Sequence, residues 1–400
     1  MAVRADFLPF SPPTLFDEEL DEVLDTLRSD WITTGPKTKL FEERFADYVH
    51  SPSAIAVASC TDALQVALAA LGVGAGDAVF TTTMTFCSTV HVIEHLGATP
   101  VLVDIDPVTL NLSPDRLADA IDRTLAEGRV TPKAVIPVHY GGHPCDMASI
   151  DALASRYGVA IVEDAAHALP AHVGDRMIGD PTAPDGVTRA VAFSFYATKN
   201  LTTAEGGMLT GPPDFVAEAR LWSLHGMSRD AWKRYGQGGS WFYEVVRPGF
   251  KCNMTDIQAS LGLHQLERLA ELQQRRHAVV DVYQEGFADL GSVELPVELP
   301  GYRSAWHLYP IRLRLDQLRI DRSAFIDELG RHNIGTSVHF IPVHTHPYYR
   351  DRYGYEQADF PVAWGEFQRL ISLPLNPRMK PADAHDVVDA VREIARANAA

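Results

Sequence analysis

From about residue 54 onward the chain alternates short, continuously apolar runs with helical stretches, and this alternation narrows its fold more than any other feature. AIAVAS, AVFTTT, TPVLVDID, KAVIPVHY, VAIVEDA, RAVAFSF and GGMLTG read as seven strands. Between them the pattern predicts helices from Thr61 to Leu71, from Phe86 to Leu96, from Pro114 onward and from Met147 to Tyr157. Strands apolar along their whole length are buried on both faces, and helical crossovers between them keep neighbouring strands parallel. The expected class is therefore α/β, with a mostly parallel seven-stranded sheet forming a large domain. Upstream, Leu15, Leu20, Val23, Leu24 and Leu27 share one helical face, which predicts an amphipathic helix packed on the body. Downstream, Thr255 with Gln258 three residues on forms a capping box that opens a helix running toward Arg276. HLYPIRL, a helix from Ser323, GTSVHF, ISLPL and a last helix from Pro381 make up a smaller α+β domain. The expected division is residues 1–270 and 271–400.

In open parallel sheets ligands sit beyond the carboxyl ends of the strands. Asp164 ends the run VAIVED, and Lys199 follows the strand RAVAFSF, 35 residues further on. Taken singly, an Asp there caps the next helix and a Lys in a polar loop is a solvated charge. Together they supply what pyridoxal phosphate requires: a carboxylate to keep the pyridine nitrogen protonated and an amine to form the Schiff base. Gly206 and Gly207, just after Lys199, let the backbone pass close to a neighbour before the next strand. SCTDALQVAL offers Ser59, Cys60 and Thr61 between a strand and a helix N-terminus, where an anion such as a phosphate is favoured, although Thr61 could equally be an ordinary cap.

The composition excludes several classes. With 400 residues, 46% of them hydrophobic, the chain can bury a large core. A net charge of −17 opposes binding to nucleic acid or an anionic membrane. No run reaches the ~18 apolar residues of a membrane span, and the N-terminal stretch lacks a signal-peptide core, so a cytoplasmic location is expected. Cys60, Cys87, Cys145 and Cys252 have no C-x-x-C spacing, and the sixteen histidines contain no H-E-x-x-H, so no metal site is expected. GVGAG at Gly72 to Gly76 follows a helix and reads as a turn, which argues against a dinucleotide fold.

EDAAHALPAHVGD, SFYATKNLTTAEGG, LHGMSRDAW and GFKCNMTDIQASLGLHQLERL resemble the signature stretches of the DegT/DnrJ sugar aminotransferases, within the aspartate aminotransferase-like fold type I pyridoxal phosphate enzymes. The resemblance runs from WITTGPKTKLFE to SVHFIPVHTHPYYR. It implies that the amide of Cys60 and the hydroxyls of Thr61 and Ser194 bind the cofactor phosphate, joined by Asn253 from a neighbouring subunit, so that a homodimer shares its active sites. It also implies that Phe86 stacks on the pyridine ring and His167 touches the ring hydroxyl side. Many family members carry glycine in place of Cys60 and glutamine in place of His167.

The same resemblance implies L-glutamate as donor, pyridoxamine phosphate as the second cofactor form, and a nucleotide-diphosphate keto sugar bound by Thr34, Lys37, Tyr196 and His339. Each of these four has a plainer reading: Lys37 as a solvated charge, Tyr196 as a wall residue and His339 as a strand histidine, for example. WITTGPK, the EDAAH histidine, the AEGG turn and GFKCNMTDIQ are closer to the branch aminating carbon 4, which implies a 4-keto-6-deoxy sugar, dTDP-linked, from antibiotic or surface-glycan synthesis. That branch includes enzymes forming 4-amino-4-deoxyarabinose, which carry histidine where Tyr196 stands, so the resemblance leans toward a hexose. The alternatives are a 3-keto sugar aminotransferase and a non-catalytic regulatory protein of the same fold. A related dehydratase would carry histidine where Lys199 stands.

Overall fold

The structure is a computed structural model and describes residues 4–227 and 243–400. Its centre is a seven-stranded sheet of β1 (Ala54–Val57), β2 (Asp77–Thr82), β3 (Thr99–Val103), β4 (Thr131–Ile136), β5 (Ala160–Asp164), β8 (Arg189–Ser194) and β9 (Gly207–Thr210). The spatial order is β1-β9-β8-β5-β4-β2-β3, and β9 alone runs against its neighbours. All seven expected strands are present. Between β5 and β8 a hairpin of β6 (His172–Val173) and β7 (Arg176–Met177) pairs with β11 (Tyr302–Arg303).

Helices cover both faces, as continuously apolar strands require. On one face α3 (Cys60–Ala70), α4 (Ser88–His95) and α7 (Pro213–Ser223) bury Leu64, Ile93 and Ala219 against Ile55, Val162 and Ala192. On the other, α2 (Pro36–Tyr48) brings Phe41 and Phe45 against Phe193 and Met208, while α5 (Pro114–Glu127) and α6 (Met147–Tyr157) pack on Phe80 and Ile161. Glu163 and Asp164 point to opposite faces because strand side chains alternate. Glu163, fully buried, receives His139 at 2.8 Å and Arg189 at 3.1 Å. Burial alone would raise its pKa, but His139, Arg176 and Arg189 hold it well below the usual carboxylate range, so the charge locks β5 to β8 and to the end of β4.

α8 (Asp256–Phe287) has the expected capping box of Thr255 and Gln258, but it continues past Arg276 to Phe287 and spans residue 270. From Val279 its buried side chains join a separate core of Tyr309, Ile311, Phe325, Leu373 and Val391. That core is built on β10 (Val293–Glu294), β12 (Tyr309–Leu313) and β13 (Leu370–Leu373), with α9 (Arg322–Arg331), α10 (Pro347–Tyr353), α11 (Pro361–Arg369) and α12 (Pro381–Ala397). GTSVHF, expected as a strand, makes only an isolated bridge from Ser337 to Ser372.

The other departure is α1 (Asp17–Arg28). Its leucine face does not pack on the body: Leu20, Leu24 and Leu27 are 51%, 45% and 54% exposed, whereas Glu19 and Thr26 are buried. Glu19 takes hydrogen bonds from the Gln265 amide at 2.8 Å and the Phe16 N–H at 2.9 Å, so the helix is seated on α8 through polar groups. Helix α4 also starts later than expected, at Ser88, which leaves Phe86 on the preceding loop.

Candidate active site

The carboxyl ends of β1, β2, β4, β5 and β8 converge on a cavity of about 350 Å³. Asp164 and Lys199 both face it. Asp164 is 5% exposed and well supplied with donors: the Thr89 hydroxyl on Oδ2 at 2.8 Å, the Ala166 N–H on Oδ1 at 3.1 Å and the Cys60 thiol at 3.9 Å. Burial raises its pKa, and the Thr89 and Ala166 hydrogen bonds oppose that rise. A carboxylate so placed gains from a cationic group set in front of it.

Lys199 opens onto the cavity but is enclosed on its other sides, and burial lowers its amine to about 8, with nearby Asp164 resisting. An amine at that value exchanges protons readily near neutral pH. The cysteine thiol of Cys60 is pushed far up by burial beside Asp164 and is a neutral wall group.

Helix α3 points its N-terminus into the same space. Ser59 is its cap, accepting the Asp62 N–H at 3.0 Å, so Thr61 is not the cap; it lines the cavity with Cys60 and Ser194. The approach is tight: a Cβ on Gly207 would lie 2.4 Å from the Ser59 carbonyl carbon and 2.7 Å from the Cys60 nitrogen, which explains glycine there. Phe86 forms part of the wall and is 60% exposed, its ring tilted against that of Phe340 at 6.3 Å.

Histidines shape the remaining wall. His167 stacks on Phe340 at 5.7 Å and lies 4.4 Å from the ring of His307. His339 stacks on Phe10 at 5.5 Å and shares a hydrogen bond with the Ser372 hydroxyl at 2.9 Å. Burial, followed by the nearby Lys199 charge, lowers His339 to about 4, and burial likewise holds His167 and His307 well below their usual value. All three rings are neutral near pH 7.

Of the residues singled out from the sequence, Cys60, Thr61, Phe86, Asp164, His167, Ser194, Tyr196, Lys199 and His339 line this one cavity. Thr34, Lys37 and Asn253 do not. Asn253 donates to the Thr34 hydroxyl, which in turn donates to the Met254 carbonyl. Lys37 is committed to Glu22 at 2.6 Å and Asp25 at 2.7 Å. Of LHGMSRDAW, residues 228–232 lie outside the described residues. Thr89, Phe10, Glu205 and His307 were not anticipated. The signal for Thr89 was its position in the first turn of the helix after TTTMTF; His307 carries no such signal. Among the described residues no group of three His, Cys, Asp or Glu side chains could hold a metal, and no helix is long and apolar enough to cross a membrane.

A lysine and a carboxylate across one cavity, at the strand ends of a sheet of this order, define a fold type I pyridoxal phosphate enzyme. The profile of the DegT/DnrJ/EryC1/StrS aminotransferase family matches residues 13–392, and the chain belongs to that family, whose cofactor is pyridoxal phosphate. It is 49% identical over 397 residues to the spore coat polysaccharide biosynthesis protein SpsC of Bacillus subtilis, covering 98% of each chain. Among solved structures it resembles Spr1654 of Streptococcus pneumoniae, described as a sugar aminotransferase, in its pyridoxamine phosphate form (TM-score 0.87, 35% identity, 98% of this chain and 99% of that one). It also resembles DesV of S. venezuelae in complex with a ketimine intermediate (TM-score 0.84, 31% identity, 97% and 99%).

Proposed function

We propose that the chain transaminates a nucleotide-diphosphate 4-keto-6-deoxy sugar, dTDP-linked, to the 4-amino sugar, with L-glutamate as amino donor. The observation that carries this reading is the Lys199 amine, held at about 8, facing the same cavity as the buried Asp164 carboxylate. Bound pyridoxal phosphate supplies the electron sink that stabilises negative charge developing on the carbon next to the reacting nitrogen. Asp164 keeps the pyridine nitrogen positive, and the burial that raises its own pKa strengthens that pairing. Lys199 would anchor the cofactor, and its Nζ would take up and return a proton at the reacting carbon. Cys60, Thr61 and Ser194 offer an amide and two hydroxyls for the phosphate beside the α3 N-terminus. Phe86 would stack on the ring, and His167 would lie on its hydroxyl side.

The sugar substrate is supported by the names of SpsC and Spr1654 and by a wall of neutral polar rings with Tyr196 and His339, which suits hydroxyl groups better than a carboxylate. A homodimer is supported by the exposed leucine face of α1 and by the position of Thr34 and Asn253 away from their own chain's cavity, where they can serve a partner's. The test is to supply the holoenzyme with L-glutamate and a panel of nucleotide-bound 3-keto and 4-keto sugars and to identify products by mass and NMR. Conversion of a 3-keto-6-deoxy sugar with its 4-keto isomer untouched overturns the carbon assignment. Carbons 3 and 4 are adjacent, and a misplacement of ~1 Å costs on the order of 10²-fold in rate, so one of the two should dominate clearly.

A further inference from the structure

Two neighbouring imidazoles in the cavity wall, their rings 4.4 Å apart and tilted by 38°, are fixed in opposite tautomers. The N–H of Gly141 reaches Nδ1 of His167 at 3.3 Å, so Nδ1 accepts and the neutral ring carries its hydrogen on Nε2. His307 is fixed the other way. Asn200, 7% exposed, donates its amide N–H to the Ala305 carbonyl at 2.8 Å, which obliges its oxygen to face Nδ1 of His307 at 3.1 Å. A carbonyl-type oxygen only accepts, so Nδ1 of His307 carries the hydrogen and Nε2 keeps a bare lone pair. His307 lines the cavity, and its Nε2 has no hydrogen-bond partner among the described residues.

The surroundings leave little freedom for either ring. Ala305 and Leu308 donate their N–H groups to the carbonyls of Gly142 and Gly141, each at 3.0 Å. A Cβ on Gly142, at φ +104°, would lie 3.0 Å from both the His167 oxygen and the His307 nitrogen. The turn that fixes the His167 tautomer therefore also holds the His307 loop, and Asn200 joins that loop to the residue next to Lys199. Protonating either ring is opposed by burial and by the neighbouring Lys199 charge.

The cavity must admit two different reactants in turn. An amino acid brings carboxylates, which have no hydrogen to give, and an amino group that the transfer itself occupies; a sugar brings hydroxyls, which can donate. We propose that His307 is a specificity-determining residue for the sugar half of the reaction, its Nε2 lone pair accepting a hydroxyl hydrogen of the bound keto sugar while the amino donor makes no use of it. This rests on the functional reading above and assigns a discriminating contact within that same site.

The two half-reactions provide the test, because they share Lys199, Asp164 and the cofactor. With the pyridoxal phosphate holoenzyme, single-turnover absorbance changes report the reaction with L-glutamate. With the pyridoxamine phosphate form, they report the reaction with dTDP-4-keto-6-deoxyglucose. His307→Leu should slow the sugar half about 10- to 100-fold, the range of one lost buried hydrogen bond, and leave the glutamate half within about threefold. His307→Gln, whose amide oxygen reaches the position of Nε2, should recover most of the loss. Equal slowing of both halves, or of neither, overturns the proposal. Nitrogen-15 NMR of labelled histidines in cofactor-free protein should independently show His307 as the Nδ1–H tautomer without titration between pH 6 and 8; the other tautomer, or a titrating ring, overturns it. Wild-type protein inert to both reactants would instead count against the functional reading, and the NMR result separates the two failures.

Discussion

Cofactor-free Lys199→Met should be more stable than the wild type, and the size of the gain follows from the amine's surroundings. In the unfolded chain the amine titrates near 10.5, and burial lowers it to about 8 in the fold. Each pKa unit is about 1.4 kcal/mol, so a fold that must carry the charged amine below pH 8 loses about 3 kcal/mol. The side chain opens onto the cavity, where solvent screens part of the charge, and Asp164 loses its cationic neighbour in the variant, which together trim the expected gain to about 2 kcal/mol.

The sign is fixed by linkage. Because the folded pKa is depressed, the unfolded chain binds more protons between pH 8 and 10.5, and wild-type stability rises through that window. The advantage of the methionine variant is therefore full at pH 7, falls through pH 8 to 10.5 and is gone above it. Urea midpoints of both proteins, measured without cofactor at one protomer concentration from pH 7 to 11, provide the assay. A difference that is absent at pH 7, or that stays constant across the range, would show that Lys199 does not sit in the low-dielectric pocket inferred here.

Two further outcomes are expected. Thr89→Val removes the hydroxyl on Asp164 Oδ2 and lets burial raise that carboxyl further, so the acid limb of the kcat/KM profile should move to higher pH than in the wild type; an unmoved limb refutes the coupling. In the proposed shared-site dimer, Lys199→Ala and Asn253→Ala should each be inactive, the first by at least about 10²-fold, yet co-refolded mixtures should regain about a quarter of wild-type turnover through hybrids with one intact site. Proven hybrids without activity would show that Asn253 serves its own subunit.

Strand existence was legible because burial on both faces writes itself as an unbroken apolar run, and helix α6 was legible to the residue because Asp146 caps it and Gly158, at φ +67°, ends it. Helix α1 shows where that reading stops. The leucine spacing told correctly that a helix forms with an apolar stripe, but periodicity carries no information about what covers the stripe. In the single chain the covering fell to the polar side, because Glu19 and Gln265 satisfy one another inside while the leucines face outward. The same stripe that was misplaced as intramolecular packing is thus the surface that the proposed dimer would need.

The site divides along a similar line. Asp164 and Lys199 were readable because each follows its own strand, so the sheet's geometry brings them together whatever the loops do. His307 was not: HLYPIRL announces a strand, and nothing in its spelling shows that the histidine ahead of β12 reaches back to the residue beside Lys199. What places it is a satisfiability constraint visible only in three dimensions. A buried asparagine must use both ends of its amide, Asn200 gives one end to Ala305, and the other end is left to choose the tautomer of His307. The residue after the lysine therefore owes its identity less to the cofactor than to the neighbouring loop whose chemistry it sets.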